Sequence, residues 1–495
     1  MKLNNNEKIL IYGDYDTDGV TSTSILKIFF ERLGINADSI IPNRLLDGYG
    51  LNKKYIDKAK EKNIDLIITV DCGIKSIDEV EYINSLNMDC IITDHHEIGD
   101  ILPNAAAVIN PKLGENNNVF KEIAGCAVAF KLVEGVAKEL NISNEKYLDL
   151  LELVAIGSIA DVMPIVNENY ILIKDGLNRI NNSCSNLGIK TLIGQNTNIT
   201  SEYLAFNVIP KINASGRMGK NVALELLTAN NIKDAIIKLN ELEELNNLRK
   251  IKTDEGFNII DKLVQENYLE DNILLVESNE IHDGIIGIVA SKIAEKYKKS
   301  AVIFCEADVD GKKIYKGSGR AYADLDIYSI FENEKENFLA FGGHTKALGI
   351  SIEKEKLLEI RKKINKKNLE EKCEKLVQNA KKIVQYNIYL PLKYVNETVY
   401  DSLEILEPTG EENLKPTFLF KDIYVSNIFK YGKVVKLQIK NKENQVKNVI
   451  CFDTEKINKL NLQILDNICI VGKLSKNIFN NNVDIQIIAE EIVKI

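Results

Sequence analysis

Three short apolar runs in the first hundred residues each end on side chains that bind metal or move protons. Lys8–Tyr12 (KILIY) runs into Asp14-Tyr15-Asp16-Thr17-Asp18-Gly19, Asp65–Val70 into Asp71-Cys72-Gly73, and Asp89–Thr93 into Asp94-His95-His96-Glu97. A fourth acid, Asp161, follows the apolar start of Ala155–Pro164 (AIGSIADVMP). Carboxylates gathered at close range stay ionised only when a cation neutralises them, and a mixed oxygen and imidazole set suits manganese, magnesium or zinc. The pattern Asp-x-Asp-x-Asp-Gly also opens a calcium loop, but that loop needs a bidentate Glu at its twelfth position and a helix before it. Here the twelfth position is Ile25 and a strand precedes. An acidic turn that merely caps a helix explains the first run alone, but not the two strand ends that follow. The chain has only 4 histidines, and His95 and His96 are adjacent. Successive side chains leave an extended backbone in opposite directions, so one of the pair is expected on the ion and the other on its surroundings or the substrate.

These residues need elements to hold them. The first 180 residues alternate strand-length apolar runs with amphipathic stretches such as Ser24–Leu33 and Lys75–Leu86, a β-α-β-α rhythm that predicts a parallel sheet covered by helices. In such sheets ligands bind beyond the carboxyl ends of the strands, so neighbouring strands would deliver their acids to one crevice. From about 200 to 265 the pattern is helical, and Asn240–Asp254 reads as a long solvated connector helix. A second α/β pattern opens with Asn272–Glu277 and includes Ala301–Cys305. Beyond about 376, Val435, Leu437 and Ile439 alternate with Lys436, Gln438 and Lys440, as Val483, Ile485 and Ile487 do with Asp484 and Gln486, which predicts a small antiparallel barrel or sandwich. The expected division is 1–195, 196–265, 266–375 and 376–495. There is no internal repeat.

Composition narrows the partners. In 495 residues, acids outnumber bases 72 to 63, for a net charge of -9. That excludes indiscriminate coating of nucleic acid, which needs a broad basic surface, while leaving room for a local basic channel. No apolar run approaches the roughly 18 residues that span a bilayer, and the opening MKLNNNEKILIYGD has no stretch fit for a signal peptide. The 8 cysteines form no CxxC pair and read as reduced thiols of a cytosolic protein.

DYDTDG, VDCG, TDHH and ADVMP, in this order and spacing, resemble the four motifs of the DHH phosphoesterase superfamily. Further segments narrow the resemblance to the RecJ family of single-strand-specific exonucleases. They are Asn43-Arg44 with Asp47-Gly48-Tyr49-Gly50, Gly125-Cys126-Ala127-Val128-Ala129-Phe130, Asn213-Ala214-Ser215-Gly216-Arg217-Met218, the run His282–Ala290 (HDGIIGIVA), Gly317-Ser318-Gly319-Arg320 and Gly342-Gly343-His344. The similarity covers nearly the whole chain. It implies an α/β fold of two domains, a parallel-sheet DHH domain and a DHH-associated domain, joined by a long helix and followed by an OB-type β-barrel.

The resemblance also implies roles. Asp16, Asp18, Asp71, His95 and Asp161 fall at ligand positions for two divalent ions, manganese or magnesium, with Asp71 as the bridge. Asp14 is implied as a further ligand or a base beside them, and His96 as a contact to the scissile phosphate or a support of the site. Many superfamily members have His where Tyr12 stands, which implies a looser hold on one metal. Arginine grips phosphate through a planar, permanently charged fork. Arg44, Arg217 and Arg320, with Ser318, are the implied phosphate clamps, and His344 is implied near the reacting phosphate, where glycines permit close approach. Leu348 replaces a usually small residue, and His282 follows Ile281 where an aromatic is common; structural and functional roles are both open for His282. Leu406–Asn413 (LEPTGEEN) introduces the barrel, departing from the family at Thr409 and Glu412, and Tyr424, Phe429 and Tyr431 are candidates for stacking on bases.

The implied activity is metal-dependent 5′→3′ hydrolysis of single-stranded DNA to 5′ mononucleotides, in DNA repair and recombination. The alternative is a DHH phosphodiesterase of short oligonucleotides or cyclic dinucleotides, which typically lacks the terminal barrel. A non-catalytic single-strand binder is the reading from another class, and the intact acidic set opposes it. The implied partners are single-stranded DNA and a single-strand-binding protein or helicase, for a cytoplasmic monomer without membrane contact. The first strand begins near residue 8, where the family usually has a leader, which implies a truncated or late start.

Overall fold

The computed structural model describes residues 7–48, 50–114, 120–309, 312–365, 385–432, 434–479 and 482–495. Tyr49, Cys373 and the boundary expected between 375 and 376 lie outside the described residues. The chain falls into two compact units, the second made of the residues beyond 380 together with Pro164–Val166.

Apolar runs buried on both faces make the centre of the first sheet: β1 (Ile9–Tyr12), β3 (Leu66–Val70) and β4 (Asp89–Thr93). They stand side by side, flanked by β2 (Ala37–Ile40) and β5 (Ala107–Ile109), in the order β2-β1-β3-β4-β5, and every pairing is parallel. The expected parallel sheet is thus present, with two edge strands that no continuous apolar run announced. The helices α1 (Thr17–Arg32), α2 (Lys53–Glu61), α3 (Ile77–Ser85), α4 (Gly125–Glu139), α5 (Leu151–Ala160) and α6 (Asn167–Ser183) follow. Helix α1 buries Thr21, Thr23 and Ser24, whose hydroxyls donate back to the carbonyls of Thr17, Gly19 and Val20 at 2.8, 2.8 and 2.7 Å. Satisfying these polar groups inside the helix lets it pack closely against α4 and α5.

The connector helix runs from Ile232 to Asn267, 36 residues, capped by Asn231 accepting from the Asp234 N–H. It is longer than the charged run suggested, and not wholly solvated: Ala235, Leu242, Asn246, Thr253, Gly256, Ile260 and Val264 form a buried stripe. Its first half packs on the helix Ile209–Arg217 and its second on the helix Ile286–Tyr297. The second sheet holds β6 (Leu274–Glu277), β7 (Ala301–Val309), β8 (Lys312–Arg320), β9 (Ala340–His344) and β10 (Ala347–Glu353), in the order β6-β7-β8-β10-β9. Only β6–β7 is parallel, so this layer is mixed.

In the second unit β11 (Ile388–Tyr389), β12 (Phe418–Tyr431), β13 (Val434–Lys440), β14 (Val446–Cys451), β15 (Asn467–Phe479) and β16 (Asn482–Lys494) order as β11-β12-β13-β14-β16-β15, and β15 pairs back onto β12. Five strands therefore close a barrel. Val435, Leu437 and Ile439 point into its core as the alternation predicts, whereas Val483 is 43% exposed. The barrel is not purely antiparallel, since β14 and β16 run parallel. Register shifts at Val425/Asn427, Phe420/Ile423 and Val471/Gly472 supply the bends that closure requires. Among the described residues no helix is long and apolar enough to cross a membrane.

The α5–α6 crossing offers a test of the packing. A Cβ on Gly176 would lie 2.2 Å from the Leu151 carbonyl oxygen, whereas one on Gly135 meets nothing within 4 Å. Gly176→Ala should cost about 1–3 kcal/mol of unfolding free energy, and Gly135→Ala should add about 0.5–1 kcal/mol. Urea titrations that rank the two variants the other way would contradict this packing.

Candidate metal centre

The acids meet because three parallel strands end side by side and the chain turns sharply at each end. After β1, Asp16 becomes the N-cap of α1, its Oδ1 accepting from the Gly19 N–H at 3.0 Å, and the Thr17 N–H donates to Asn213 Oδ1 at 3.0 Å. Asp18, in the first turn of α1, is gripped at both oxygens by the N-terminus of α4: the Gly125 N–H donates to Oδ2 at 2.6 Å and the Cys126 N–H to Oδ1 at 2.9 Å. A helix N-terminus is a ready place for such an anion. Asp71 leaves β3 in the left-handed region, with φ 58°, and its N–H donates to the Thr93 carbonyl at 3.0 Å. Asp161 ends α5, and Val162 after it also has a positive φ, 55°. For a β-branched residue that conformation is strained, and strain of this kind collects at functional sites.

His95 reaches into the cluster, its Nε2 3.1 Å from Asp71 Oδ1, 3.6 Å from Asp161 Oδ2 and 3.7 Å from Asp18 Oδ2. Strand geometry would part His96 from His95, yet both rings face the cluster. His96 Nδ1 lies 4.0 Å from Asp71 Oδ1 and the two imidazole centroids are 4.6 Å apart. Strand β4 stops at Thr93, so the alternation of an extended backbone no longer applies at 95 and 96. The residue that turns His96 is Asp94, a motif residue whose type alone gives no sign of this role. Its Oδ1 accepts from the His95 and His96 N–H groups at 2.7 and 3.1 Å and lies 2.7 Å from His96 Nδ1, while Oδ2 accepts from the Ile74 N–H at 2.9 Å.

Three donor groups result: Asp14, Asp16 and Asp71; Asp71, His95 and His96; and Asp18, His95 and Asp161. Within each, the donor atoms lie within 4.8 Å of one another. Asp71 and His95 each belong to two of them, so the three groups form one continuous cluster. Burial first, and then neighbouring carboxylates, push Asp14, Asp16 and Asp71 above the usual carboxylate range, and Asp161 up to about 9. Burial also lowers His95, favouring the neutral imidazole that ligates. Asp94 goes the other way: burial opposes it, but the hydrogen bonds and charge of His96 hold it low. His96 is correspondingly raised, again against its burial. Asp14 Oδ1 and Asp161 Oδ2 are buried and accept no hydrogen bond. A divalent cation is the group such a set of oxygens and imidazoles fits.

Space for the acids is made by glycine. A Cβ on Gly125 would stand 2.7 Å from Asp71 Cβ, and one on Gly157 2.9 Å from Asp18 Oδ1. Both glycines lie in quoted segments, yet their role shows only in three dimensions. Tyr12 is not turned to the acids; it is fully buried in the core beside Tyr55, its hydroxyl donating to the Gly50 carbonyl at 3.1 Å.

A second group of side chains gathers in the same unit. The Arg44 guanidinium sits 4.9 Å over the Tyr15 ring, Arg217 Nη1 donates to the Gly284 carbonyl at 3.2 Å, and Arg320 Nη1 donates to Ser318 Oγ at 3.0 Å and the Gly319 carbonyl at 2.7 Å. Burial and the cations of Arg44, Arg320 and Arg249 lower Arg217, and burial and Arg44 lower Arg320. Arg249, on the connector helix, joins the group though nothing in its charged surroundings marked it. Among the described residues none of these guanidiniums is within salt-bridge distance of a carboxylate. Arg217 is carried by a helix that follows a π-turn, Leu204–Val208, where Pro210 has no N–H to continue the regular ladder. His344 lies on the exposed edge strand β9, its Nδ1 accepting from the Lys346 N–H at 3.4 Å, and not among the metal-binding groups above. Leu348 is buried, its bulk received by its cross-strand neighbours Gly319 and Gly343.

The electrostatics fix a sign. A carboxyl whose folded-state pKa exceeds its unfolded value of about 4 gives stability that is whole below that value and lost as pH climbs through the folded one. With a chelator present, the melting temperature should therefore fall from about pH 5 towards the value of about 9 reached by Asp161. Manganese should raise it more at about pH 8 than at about pH 6, because the ion displaces protons. A larger manganese effect at the lower pH would contradict this binding place.

Known proteins resemble this chain along most of its length. The model of the DHH family, N-terminal domain, matches residues 8–158, that of the DHHA1 domain residues 270–370, and that of the RecJ OB domain residues 386–491. The single-stranded-DNA-specific exonuclease RecJ of Bacillus subtilis is 33% identical over 490 residues, which are 96% of this chain and 60% of that protein. The chain thus spans about 60% of the length of that curated relative. A crystal structure of RecJ with Mn2+ from Thermus thermophilus superposes with a TM-score of 0.81 at 26% identity, covering 99% of this chain and 69% of that one. A structure of exonuclease RecJ bound to manganese is 30% identical, with a TM-score of 0.62 over 72% of this chain and 89% of its own. With the three domain models in the order of the observed layers and the acids converging at the strand ends, the chain belongs to the RecJ family.

Proposed function

We propose that this protein is a metal-dependent exonuclease that degrades single-stranded DNA from the 5′ end and releases 5′ mononucleotides. The observation that carries the proposal is one unit holding both a carboxylate and imidazole cluster and a set of guanidiniums that have no carboxylate partner among the described residues. The first has the charge to bind divalent cations, the second to bind phosphate. Manganese or magnesium, held by Asp16, Asp18, Asp71, His95 and Asp161 with Asp14 beside them, supplies the Lewis acidity that activates water and offsets charge on the phosphate.

The remaining work belongs to the chain. His96, held by Asp94 and half exposed beside the cluster, is placed where its imidazole can donate to a phosphate oxygen or to the departing 3′ oxygen. Arg217, Arg320, Ser318 and Arg44 hold the terminal 5′ phosphate, and that anchoring sets both the polarity and the one-nucleotide step. His344 on its edge strand contacts the nucleotide being removed. In the barrel, Phe429 and Tyr431 expose nearly parallel rings 6.4 Å apart, and Lys436 stands opposite Phe429 across the sheet, a surface suited to stacking on bases beside their phosphates. Domain boundaries near 195, 265 and 375, a monomeric state, a cytoplasmic location and a single-strand-binding protein or helicase as partner complete the proposal. Light scattering on the purified chain tests the monomer.

The deciding experiment uses single strands labelled at either end, with and without 5′ phosphate, in a manganese and magnesium series. The expected result is stepwise loss of the 5′ label as mononucleotide. Asp71→Ala should abolish turnover while DNA binding persists, and Arg320→Ala should lose the preference for phosphorylated ends by about tenfold. Asp71→Ala turning over near the wild-type rate, or label released first from the 3′ end, would refute it.

A further inference from the structure

We propose that His282 is a positioning residue: its imidazole caps the turn that holds the phosphate-reading arginines in register, and so sets the preference for a phosphorylated 5′ end. This deepens the proposed function and rests on it. His282 is the N-cap of the short turn Asp283–Ile285, which leads straight into the helix Ile286–Tyr297. Its Nδ1 accepts from the Gly284 N–H at 3.1 Å.

Arg217, Arg320 and Arg44 are each linked to this turn or to the helix it opens. The Gly284 carbonyl accepts from Arg217 at 3.2 Å, and a Cβ on Gly284 would stand 1.9 Å from the Arg217 carbonyl oxygen, so the two backbones are in contact. Asp283 accepts from Lys316 Nζ at 3.4 Å, and the same ammonium donates at 3.2 Å to the carbonyl of Leu45, next to Arg44. A Cβ on Gly287 would come within 2.9 Å of Arg320 Nη2 and 3.0 Å of Ser318 Oγ. Guanidiniums repel one another, so neighbouring ones keep their places only if the backbone between them is fixed. The residue that caps this turn fixes it.

The choice of cap also follows. Asn, Asp, Ser and Thr are the usual N-caps, and histidine is not. A carboxylate here would stand within reach of Arg217 and compete with the phosphate. A neutral acceptor closes the turn without neutralising the guanidiniums. Asparagine should therefore replace His282, and alanine and aspartate should not.

The test compares wild type, His282→Ala, His282→Asn and His282→Asp of the full chain. Binding of 5′-phosphorylated and 5′-hydroxyl single strands is measured by fluorescence anisotropy with chelator present, and kcat and KM with manganese. For His282→Ala the expected result is about tenfold weaker binding of the phosphorylated strand and a matching rise in KM. Binding of the hydroxyl-ended strand and kcat should stay within about twofold. His282→Asn should match wild type, and His282→Asp should lose the phosphate preference. An alanine variant that keeps the preference, a loss that falls on kcat with KM unchanged, or an asparagine variant no better than alanine would overturn the proposal. A wild type that prefers phosphorylated ends yet cleaves nothing would sink the nuclease reading alone, because the binding arm still judges His282. A wild type without that preference would sink this proposal.

Discussion

Repulsion among buried carboxylates at the ends of β1, β3 and β4 is the constraint on which the rest of the first unit depends. Left alone, such groups would take up protons or push the strand ends apart. The fold answers each acid separately. Asp18 is met by two N–H groups at the start of α4, and Asp94 by three backbone N–H groups and the His96 ring. Asp14, Asp71 and Asp161 are raised by burial and by their neighbours, which leaves the remaining compensation to a cation.

The arginines present the opposite problem in the same unit. Arg217 and Arg320 are half-buried among like charges and are held by backbone carbonyls and a serine hydroxyl, contacts that orient a guanidinium without cancelling it. An excess of negative charge that calls for metal and an excess of positive charge that calls for phosphate are together what a phosphodiester and its divalent ions can satisfy. The connector helix supports this pairing mechanically. Its buried stripe packs on the helix carrying Arg217 and on the helix that follows the His282 turn, with Gly256 allowing close approach to Ile285 and Val289.

The sequence was most legible where burial is most complete. Strands β1, β3 and β4 are covered on both faces, so their residues form unbroken apolar runs, and the acids follow directly. Strands β2 and β5 are half-exposed edges with no such run, and the connector helix outlasts its charged centre because its buried stripe includes small and polar residues such as Ala235, Asn246 and Thr253. The parallel pairing in the barrel depends on chain order in space, which alternation cannot show. At the site, the motifs pointed to the acids and histidines that the fold brings together. Residue type did not announce Asp94, which works through hydrogen bonds to its neighbours, Gly125 and Gly157, which work by having no side chain, or Arg249, which looks like any helix-surface cation. His95 and His96 converge where strand geometry would part them, because the strand has already ended.

Anomalous diffraction at the manganese edge, from crystals of the full chain soaked in the ion, reads the central claim directly. The account predicts two peaks, each within about 2.0–2.4 Å of a carboxylate oxygen of Asp71, one towards Asp14 and Asp16 and the other towards His95. Peaks remote from Asp71, or one ion bound without it, would contradict it.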